Sequence, residues 1–433
     1  MTPLCFPLPT LPDLLALHAH YPADFPYLLQ SSGEHGYDIL FAYPREIRCY
    51  HDGEGARLLA DLQALPCAPL DAIPTLPFYG GWFVYLGYEV AHYFEPSVPA
   101  PLPDAFPLAW LARVSAAIIV DRAAQLAYIV AEEVATLAQI QAQLATCADY
   151  NPQPVRLNTL QEDAPMHYTD AVACIKDYIR AGDVFQVNIS RGWHAELANT
   201  VRAVDVYAAL RRTNPAPFSA LVNFGETQII SSSPERLVRV RDGWVDTRPI
   251  AGTHPRSSDP QEDAALKKRL IGDLKERAEH VMLIDLARND LGRLCIPGTV
   301  EVNELMAVTS YAYVHHIESN ICGRLRPDCT PFDVVRALFP GGTITGCPKV
   351  RTLQIIRELE DTPRRAYTGS LGYINRDGTM DLNILIRTFM QHEAQLRFRA
   401  GGGIVADSQP MRELQETVHK ARGLLRALGV TPS

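Results

Sequence analysis

Two glutamates and a lysine near the C-terminus have residue types and spacing that suit a metal-binding or anion-binding face. Glu413, Glu416 and Lys420 lie in a predicted helix that begins at Pro410 and ends near Gly429. At about 100° per residue, the three side chains share one face of that helix. Paired carboxylates suit Mg²⁺, a hard cation that keeps several waters and shares its coordination shell with an anionic substrate. The same spacing is also typical of a solvated helix face, so this pair alone leaves both interpretations open.

A second Glu-x-x-Glu pair, Glu276 and Glu279, bears on the same question. The sequence predicts one long helix over residues 261–289, with these glutamates opposite its apolar side. The predicted apolar side consists of Leu270, Leu274 and Val281. Surface pairing with neighbouring basic residues is the alternative, and such pairs contribute little to stability. Two such helices make a shared Mg²⁺ site a hypothesis to set beside solvated surface charge.

Three consecutive glycines, Gly401, Gly402 and Gly403, precede the C-terminal helix. The alternation of apolar and basic residues before them predicts a strand that ends at Ala400, followed by a glycine turn. Without Cβ atoms, the backbone N–H groups of this stretch can approach an anionic ligand, which the following helix N-terminus also favours. A glycine bulge without a ligand is the alternative.

Glu235 and His316 are the candidates for proton transfer. Glu235 follows a predicted strand, where it is either an ion-pair partner of Arg236 or a general acid at the mouth of a sheet. His315 and His316 lie in a strand predicted over Tyr313–Ile317, so alternation points one of them inward. A single inward histidine is more often a hydrogen-bonded core residue than a catalyst.

A glycine- and threonine-rich loop, residues 339–349, contains Thr343 and precedes another predicted helix. Such a loop can wrap an anion, but it lacks the GxxxxGK[ST] spacing of a phosphate-binding loop, which excludes an NTPase. Arg387 lies in a strand predicted over Thr379–Phe389 and requires a counter-charge. A ligand carboxylate that accepts two parallel hydrogen bonds would provide one.

The composition places these residues in a globular protein. The 433 residues carry a net charge of −9 with a pI near 5.8, which argues against nucleic acid or an acidic membrane as a partner. The nine cysteines show no zinc-like spacing, and their odd number favours reduced thiols. No stretch approaches the roughly 18 apolar residues of a membrane span, and the N-terminus lacks the pattern of a signal peptide. We therefore expect a soluble, cytoplasmic protein.

The chain divides into two predicted regions. Residues 1–150 are rich in Pro, Tyr and Gly with short apolar runs, which predicts a β-rich segment with many turns. Residues 165–428 alternate helical and strand patterns and contain all the residues named above. The stretch between them, residues 149–165, has the Asn, Pro and Asp content of a linker.

The motifs of the C-terminal region, in this order and spacing, resemble those of the chorismate-utilising enzymes, which include anthranilate, aminodeoxychorismate, isochorismate and salicylate synthases. The motifs are PIAGT with HPR (249–256), KERAEH (275–280), DLARNDLGR (285–293), FPGGTITGCPK (339–349), GSLGY (369–373), AGGGIVADS (400–408) and ELQE (413–416). The resemblance is close over about residues 165–425 and loose in the N-terminal region, which is similar to that of anthranilate synthase component I. It implies an α+β fold with two antiparallel β-sheets packed face to face and helices on the outside.

The resemblance also implies a substrate, chorismate, and a cofactor, Mg²⁺. Glu279 and Glu416 match direct Mg²⁺ ligands, and Glu276 and Glu413 match residues that support the ion through water. The metal would neutralise the ring carboxylate of chorismate.

Further positions match substrate-binding and catalytic residues of the family. The positions that match groups near the enolpyruvyl carboxylate are Tyr367, Arg387 and the amides of Gly401, Gly402 and Gly403. Lys420 matches a group near the ring carboxylate. Those near the reacting bonds are Thr343 in the loop over the ring, Glu235 as the general acid for the C4 hydroxyl, and His316 beside the departing pyruvyl group.

Within the family, three stretches resemble aminodeoxychorismate synthases: QVNIS (186–190), NPAPFS (214–219) and PGG (340–342). Ala251 disagrees, because some of those enzymes carry a lysine there that attacks the ring, and PIAGT is the anthranilate synthase form. The missing lysine also argues against isochorismate and salicylate synthases, where it activates water. The resemblance predicts an aminodeoxychorismate synthase component I, which makes 4-amino-4-deoxychorismate for 4-aminobenzoate and folate, with anthranilate synthase component I as the alternative.

The resemblance implies partners as well. Ammonia is expected from a glutamine amidotransferase subunit, because this chain shows no catalytic-cysteine domain of its own. Tryptophan is considered as a ligand near Leu29–Ser32, where Gln30 replaces the glutamate of the family motif. A non-catalytic tryptophan-binding regulator is an alternative of another class, against which the intact Glu235, Glu279 and Glu416 argue.

Overall fold

A computed structural model describes residues 3–68, 76–257, 259–310 and 314–430. The α-helices in these residues are α1 Leu14–His20, α2 Gly55–Gln63, α3 Val90–Phe94, α4 Val134–Thr146, α5 Pro165–Ala181, α6 Ala203–Thr213, α7 Pro260–Gly272, α8 Leu274–Gly292, α9 Pro331–Leu338, α10 Lys349–Leu359 and α11 Pro410–Ala427. A short 3₁₀ helix spans Gly342–Ile344. None of the described helices is long and apolar enough to cross a lipid bilayer.

The strands form one network of antiparallel pairs. They are β1 Leu4–Leu8, β2 Tyr27–Gln30, β3 Tyr37–Tyr50, β4 Gly81–Leu86, β5 Ala109–Asp121, β6 Leu126–Ala131, β7 Leu157–Glu162, β8 Gln186–Leu197, β9 Phe218–Asn223, β10 Thr227–Ser233, β11 Arg236–Arg241, β12 Trp244–Arg248, β13 Ile250–Pro255, β14 Glu301–Ser310, β15 Val314–Arg324, β16 Gly346–Cys347, β17 Ser370–Asn375, β18 Met380–Asn383, β19 Thr388–His392 and β20 Gln395–Ile404. Strands of the two predicted regions pair with each other, β2 with β9 and β4 with β17. The stretch predicted as a linker contains β7, which pairs with β8.

Strands that are not hydrogen-bonded to each other pack face to face over an aromatic core. Tyr27 of β2 stacks on Phe83 of β4 with ring centroids 4.1 Å apart. Phe78 contacts both Phe41 of β3 and Tyr373 of β17 edge-on. All five side chains are buried, and fully buried aromatic side chains of this kind each stabilise the fold by about 1.5–3 kcal/mol. The prediction of an α+β fold built on antiparallel sheets is confirmed.

The predicted glycine turn before the last helix is wrong, because the three glycines continue strand β20. They pair with β8 in the register Gly401 with Ser190, Gly402 with Ile189 and Gly403 with Asn188. A Cβ atom at position 401 or 403 would collide with the carbonyl of Ile189 or the side chain of Gln186. Close approach of neighbouring groups, rather than a bend, is therefore what requires glycine here.

Arg387 does not lie inside a strand as predicted. The strand pattern over Thr379–Phe389 is interrupted, and Arg387 falls between β18 and β19 with φ at 52°, in the left-handed region. A non-glycine residue in this region costs on the order of 1 kcal/mol, so surrounding contacts must hold it there. Its carbonyl accepts a hydrogen bond of 3.1 Å from the Ser232 N–H.

The long helix predicted over residues 261–289 is two helices, α7 and α8, separated at Asp273. The Asp273 carboxylate accepts a hydrogen bond of 3.2 Å from the Glu276 N–H and so caps the second helix. The predicted apolar side is wrong beyond Leu270, because Leu274 is 79% exposed and Val281 is 46% exposed. The buried side of α8 instead carries His280, Leu283, Ile284 and Leu291.

Candidate active site

Glu235 is a buried acid. It lies between β10 and β11 with 4% exposure, and its Oε1 accepts a hydrogen bond of 2.8 Å from the Thr343 hydroxyl. Burial raises the pKa of Glu235 to about 7, against the smaller opposing effects of the Thr343 hydroxyl and the Ile250 N–H. The alternative role as an ion-pair partner of Arg236 is excluded, since that guanidinium binds Asp381 at 2.8 Å. Near neutral pH this carboxyl carries a proton that it can donate.

His316 is a buried, neutral base. Its Nδ1 lies 3.1 Å from the Gly252 carbonyl oxygen, and because a carbonyl only accepts, Nδ1 carries the proton and Nε2 is the basic nitrogen. Burial, followed by the positive charge of Arg387, lowers the pKa of His316 to about 3. The inward histidine is therefore in the protonation state of a general base at neutral pH. His315, predicted to alternate with it, is buried too and binds Asp263 at 2.8 Å. Tyr313, at the start of the predicted strand, lies outside the described residues.

The acid and the base are anchored on the same strand. Ile250 of β13 hydrogen-bonds Glu235, and Gly252 of β13 hydrogen-bonds His316. Ala251 lies between these two anchors and pairs with Ile317 of β15. Its side chain is a methyl group, which supplies no nucleophile at this point of the site.

The glycines of β20 lie beneath three charged side chains of α11. A Cβ atom added to Gly402 would lie 3.5 Å from Glu413 Oε2 and 3.7 Å from both Glu416 Oε1 and Lys420 Nζ. Lys420 Nζ lies 2.7 Å from Glu416 Oε1 and donates a 3.0 Å hydrogen bond to the Gly401 carbonyl. Burial acts to lower the pKa of Lys420, but the Glu416 carboxylate, together with Tyr367 and Glu413, raises the pKa above its ordinary value. The ammonium is therefore charged and available to a carboxylate ligand.

Tyr367 approaches the same strand, since a Cβ atom added to Gly401 would lie 2.9 Å from the Tyr367 hydroxyl. Burial raises the pKa of Tyr367, so this phenol is neutral and can donate a hydrogen bond. Tyr367, Lys420 and the three glycines, which the sequence analysis named as candidate substrate-binding groups, therefore lie together in the structure. Arg387 lies near both the acid and the base, because its positive charge acts to lower the pKa of Glu235 as well as that of His316.

The second glutamate pair faces the site as well. Glu276 and Glu279 are half-buried on α8, and a Cβ atom added to Gly252 would lie 2.9 Å from Glu276 Oε2. Helix α8 packs on the 3₁₀ helix that contains Thr343, which β20 also contacts. Helix α8, which carries the second glutamate pair, and β20, which lies beneath the first pair, therefore contact the same loop.

These carboxylates suit an ion such as Mg²⁺, which takes few protein ligands, better than an ion whose ligands all come from the protein. Among the described residues, no three His, Cys, Asp or Glu side chains are arranged closely enough to hold a metal ion by themselves. Mg²⁺ takes only one or two carboxylates directly and completes its octahedral shell with water and substrate oxygens. Carboxylates are the ligand type that Mg²⁺ takes, and each of the two Glu-x-x-Glu pairs contributes two of them.

The structure adds residues that the sequence analysis missed. Arg364 and Glu360 are both buried and form an ion pair at 2.7 Å beneath the Thr343 loop, and Arg399 approaches the same carboxylate at 3.3 Å. Helix α10 ends at Leu359, so the four-residue spacing of Glu360 and Arg364 is not a helical pair and gave no sequence signal. Lys349, at the end of the loop, binds the buried Asp290 at 2.7 Å and so ties the loop to α8.

A separate cavity of about 460 Å³ lies at the predicted tryptophan position. Leu29, Gln30 and Ser31 line it, and so do Pro217 and Phe218. The Gln30 side chain accepts a hydrogen bond of 3.0 Å from the Tyr207 hydroxyl and is thereby fixed at the cavity wall. One of the three stretches that resemble aminodeoxychorismate synthases thus lines this cavity.

Comparison with known proteins identifies the class of protein that carries this site. The model of the chorismate binding enzyme family matches residues 25–426, and the chain belongs to that family. It is a chorismate-utilising enzyme.

Among the proteins that are most similar to this chain are anthranilate synthase components and a protein that is named after them. The chain is 43% identical to the anthranilate synthase component I-like protein of Synechocystis sp., over 82% of this chain and 73% of that protein. It is 40% identical to anthranilate synthase component 1 of Pseudomonas aeruginosa, over 83% of this chain and 77% of that protein. The crystal structure of anthranilate synthase component I from Streptococcus pneumoniae superimposes with a TM-score of 0.80 at 32% identity, covering 91% of this chain and 93% of that one. These names match the alternative from the sequence analysis, and the aminodeoxychorismate synthase prediction is not specifically supported.

Proposed function

We propose that the protein is an anthranilate synthase component I, which converts chorismate and ammonia to 2-aminobenzoate, pyruvate and water. The observation that carries the proposal is the arrangement on β13, where a protonated Glu235 and a neutral His316 are anchored on either side of Ala251. A methyl group at position 251 cannot form a covalent adduct with the ring, so ammonia attacks directly. The names of the relatives support the same assignment.

In the first step, the C2–N bond forms as ammonia attacks C2 of the ring. The two ring double bonds shift, the C4–O bond breaks, and the hydroxyl leaves as water with the proton of Glu235. Thr343 holds the carboxyl in place through its 2.8 Å hydrogen bond. The ammonium group then loses one proton, which balances the proton given to the leaving group.

In the second step, His316 Nε2 takes the remaining proton from C2. The C3–O bond to the enolpyruvyl group breaks, the ring becomes aromatic, and the enolate leaves. One proton taken up at its methylene carbon converts it to pyruvate and balances the proton removed from C2. The low pKa of His316 keeps Nε2 unprotonated at neutral pH, as this step requires.

The other site residues hold the substrate. In this proposal Arg387, the Tyr367 hydroxyl and the amides of the β20 glycines bind the enolpyruvyl carboxylate, and Lys420 binds the ring carboxylate. Glu279 and Glu416 would hold Mg²⁺ directly, with Glu276 and Glu413 behind them. When bound, the ion neutralises the ring carboxylate and so draws electrons away from C2.

Aminodeoxychorismate synthase component I is the second candidate, and Gly341 is the observation that favours it. The anthranilate synthase form of this loop has alanine at that place, and a Cβ atom at position 341 would lie 2.7 Å from Ile384 Cδ1. In the same loop, the Asn188 side-chain amide donates a 3.3 Å hydrogen bond to the Thr343 carbonyl. In this case ammonia replaces the C4 hydroxyl, and the enolpyruvyl group remains on the ring.

A product assay distinguishes the candidates. The protein is incubated with chorismate, Mg²⁺ and ammonium, with and without an added aminodeoxychorismate lyase. Formation of 2-aminobenzoate without the lyase supports the proposal. Formation of 4-aminobenzoate that depends on the lyase overturns it in favour of the second candidate, and absence of any turnover favours a non-catalytic regulator.

Two binding proposals follow from the same assignment. A glutamine amidotransferase subunit supplies the ammonia, so glutamine should replace ammonium only when that subunit is added. Tryptophan occupies the cavity lined by Leu29, Gln30 and Phe218, which has the volume for an indole ring. Isothermal titration with tryptophan tests this binding, and a Phe218→Ala variant that binds as tightly as the original protein would contradict it.

A further inference from the structure

A buried guanidinium lies directly beneath the loop that carries Thr343. Arg364 is 1% exposed, and its Nε and Nη2 donate to the two carboxylate oxygens of Glu360 at 2.8 and 2.7 Å. Nη2 also donates to the Asn188 carbonyl at 2.7 Å, and Nη1 donates to the Ile344 carbonyl at 3.1 Å and the Thr368 hydroxyl at 3.4 Å. A guanidinium has five N–H donors, and these contacts engage all of them.

Two of these contacts fix the position of Thr343. Ile344 follows Thr343 directly, and the Asn188 side chain binds the Thr343 carbonyl at 3.3 Å. The Asn188 N–H also donates to the Thr345 carbonyl at 2.8 Å. Arg364 therefore bridges the loop and the strand that holds it, on both sides of the hydroxyl that binds Glu235.

The same guanidinium packs between two aromatic rings. Its central carbon lies 4.7 Å from the ring centroid of Tyr88 and 5.6 Å from that of Tyr367. The Tyr367 N–H donates to the Arg364 carbonyl at 2.9 Å, so side chain and backbone together orient this tyrosine. Cation–π contacts of this kind are strongest where the cation is desolvated, as it is here.

We propose that Arg364 is a positioning residue for the reaction: it holds Thr343 against Glu235 and orients Tyr367 toward the substrate. The proposal rests on the proposed roles of Glu235 and Thr343. Charge balance alone does not explain an arginine here, because Glu360 also has Arg399 at 3.3 Å and the Ser190 hydroxyl at 2.7 Å. The planar fork is what lets one side chain reach a carboxylate and two separate carbonyls at once, and a lysine cannot do this.

The test compares Arg364→Lys with Thr343→Val and the original protein. Loss of the Thr343 hydrogen bond removes an effect that lowers the pKa of Glu235, so both variants should shift that pKa upward. The protonated carboxyl is followed by its infrared carbonyl band between pH 5 and 9, with Glu235→Gln as the blank, and this measurement requires no turnover. The kcat should fall on the order of 10²-fold, the typical cost of a small misplacement in an active site.

Arg365→Lys is the matched control. Arg365 is the next residue, is equally buried, and donates to Asp52 at 2.8 Å and the Asp104 carbonyl at 3.3 Å, away from the loop. It should lower the stability to urea while leaving the carbonyl titration and its pH midpoint unchanged. Arg364→Gln, which keeps a donor but no charge, is measured in parallel so that the outcome does not depend on one variant folding.

The outcomes separate the two levels of the argument. An upward shift in either Arg364 variant but not in Arg365→Lys supports the positioning role. A normal titration near pH 7 in the original protein that neither Arg364 variant shifts overturns the positioning role alone. A spectrum of the original protein with no carboxyl titration near pH 7 overturns the acid role of Glu235 and the positioning role with it.

Discussion

Replacing Glu235 with glutamine removes the proton that this side chain can donate but keeps its size and its buried position. The glutamine oxygen can still accept the hydrogen bond from Thr343, so the site keeps its shape. The amide cannot donate a proton to the leaving hydroxyl, and we expect the turnover number to fall by about 10²–10⁴-fold, with little change in KM for chorismate. Steady-state consumption of chorismate with saturating ammonium and Mg²⁺ measures both constants.

The same variant also tests the pKa of Glu235 through the free energy of unfolding, which does not depend on activity. The folded protein holds the proton of Glu235 up to a pKa of about 7, whereas the ordinary value is 4.5. The stability contributed by this group is therefore fully present below pH 4.5 and is lost as the pH rises through about 7. The shift corresponds to about 3 kcal/mol at about 1.4 kcal/mol per pKa unit. A glutamine does not ionise and contributes no such dependence.

Urea unfolding of both proteins at pH 5 and pH 8 measures this difference. We expect the glutamine variant to gain up to about 3 kcal/mol relative to the original protein between these two values. Subtracting one protein from the other removes the contributions of all other groups. An unchanged difference between the proteins at the two pH values would show that Glu235 ionises in its ordinary range, and the reasoning that makes it an acid would fail.

The remaining predictions concern the base and the metal. The pKa of about 3 for His316 predicts that kcat/KM shows no loss from this group as the pH falls from 7 to 5; a protonation step with a midpoint in that range that His316→Asn removes would contradict it. Glu279→Gln and Glu416→Gln should each abolish turnover at limiting Mg²⁺ without changing the circular dichroism spectrum, because each removes a charge that binds the ion. Near-normal activity of either variant at limiting Mg²⁺ would refute that assignment.

Local sequence signals predicted those elements whose ends are chemically marked. Helix α5 ends at Ala181, and the following Gly182 adopts the left-handed conformation with φ at 82°, which is the common way for glycine to end a helix. Pro410 begins α11 as predicted, because a proline at the first helical position gives up no intrahelical hydrogen bond. The charged face predicted for that helix is not uniformly exposed, because Glu413 is buried whereas Glu416 is exposed.

Features that depend on tertiary packing could not be predicted from the local sequence. A run of glycines is typical of a turn in the local sequence. Only the pairing with β8 shows why the strand continues through Gly401–Gly403. Leu274 and Val281 suggested the buried side of α8, but both are exposed, whereas His280 is buried and Glu276 and Glu279 are half-buried. Arg364 and its neighbour look alike in sequence, and only their partners distinguish them.

The opposite pKa shifts of Glu235 and His316 have one cause. Burial disfavours whichever form is charged, so it raises the pKa of an acid and lowers that of a base in the same environment. With pKa values of about 7 and about 3, the carboxyl is neutral and the imidazole is neutral over one continuous range of pH between them. In water the order is reversed, and the carboxyl would ionise well below the imidazole. Burial thus favours a proton donor and a proton acceptor at once, and any substitution that admits water to both groups should reduce both shifts together.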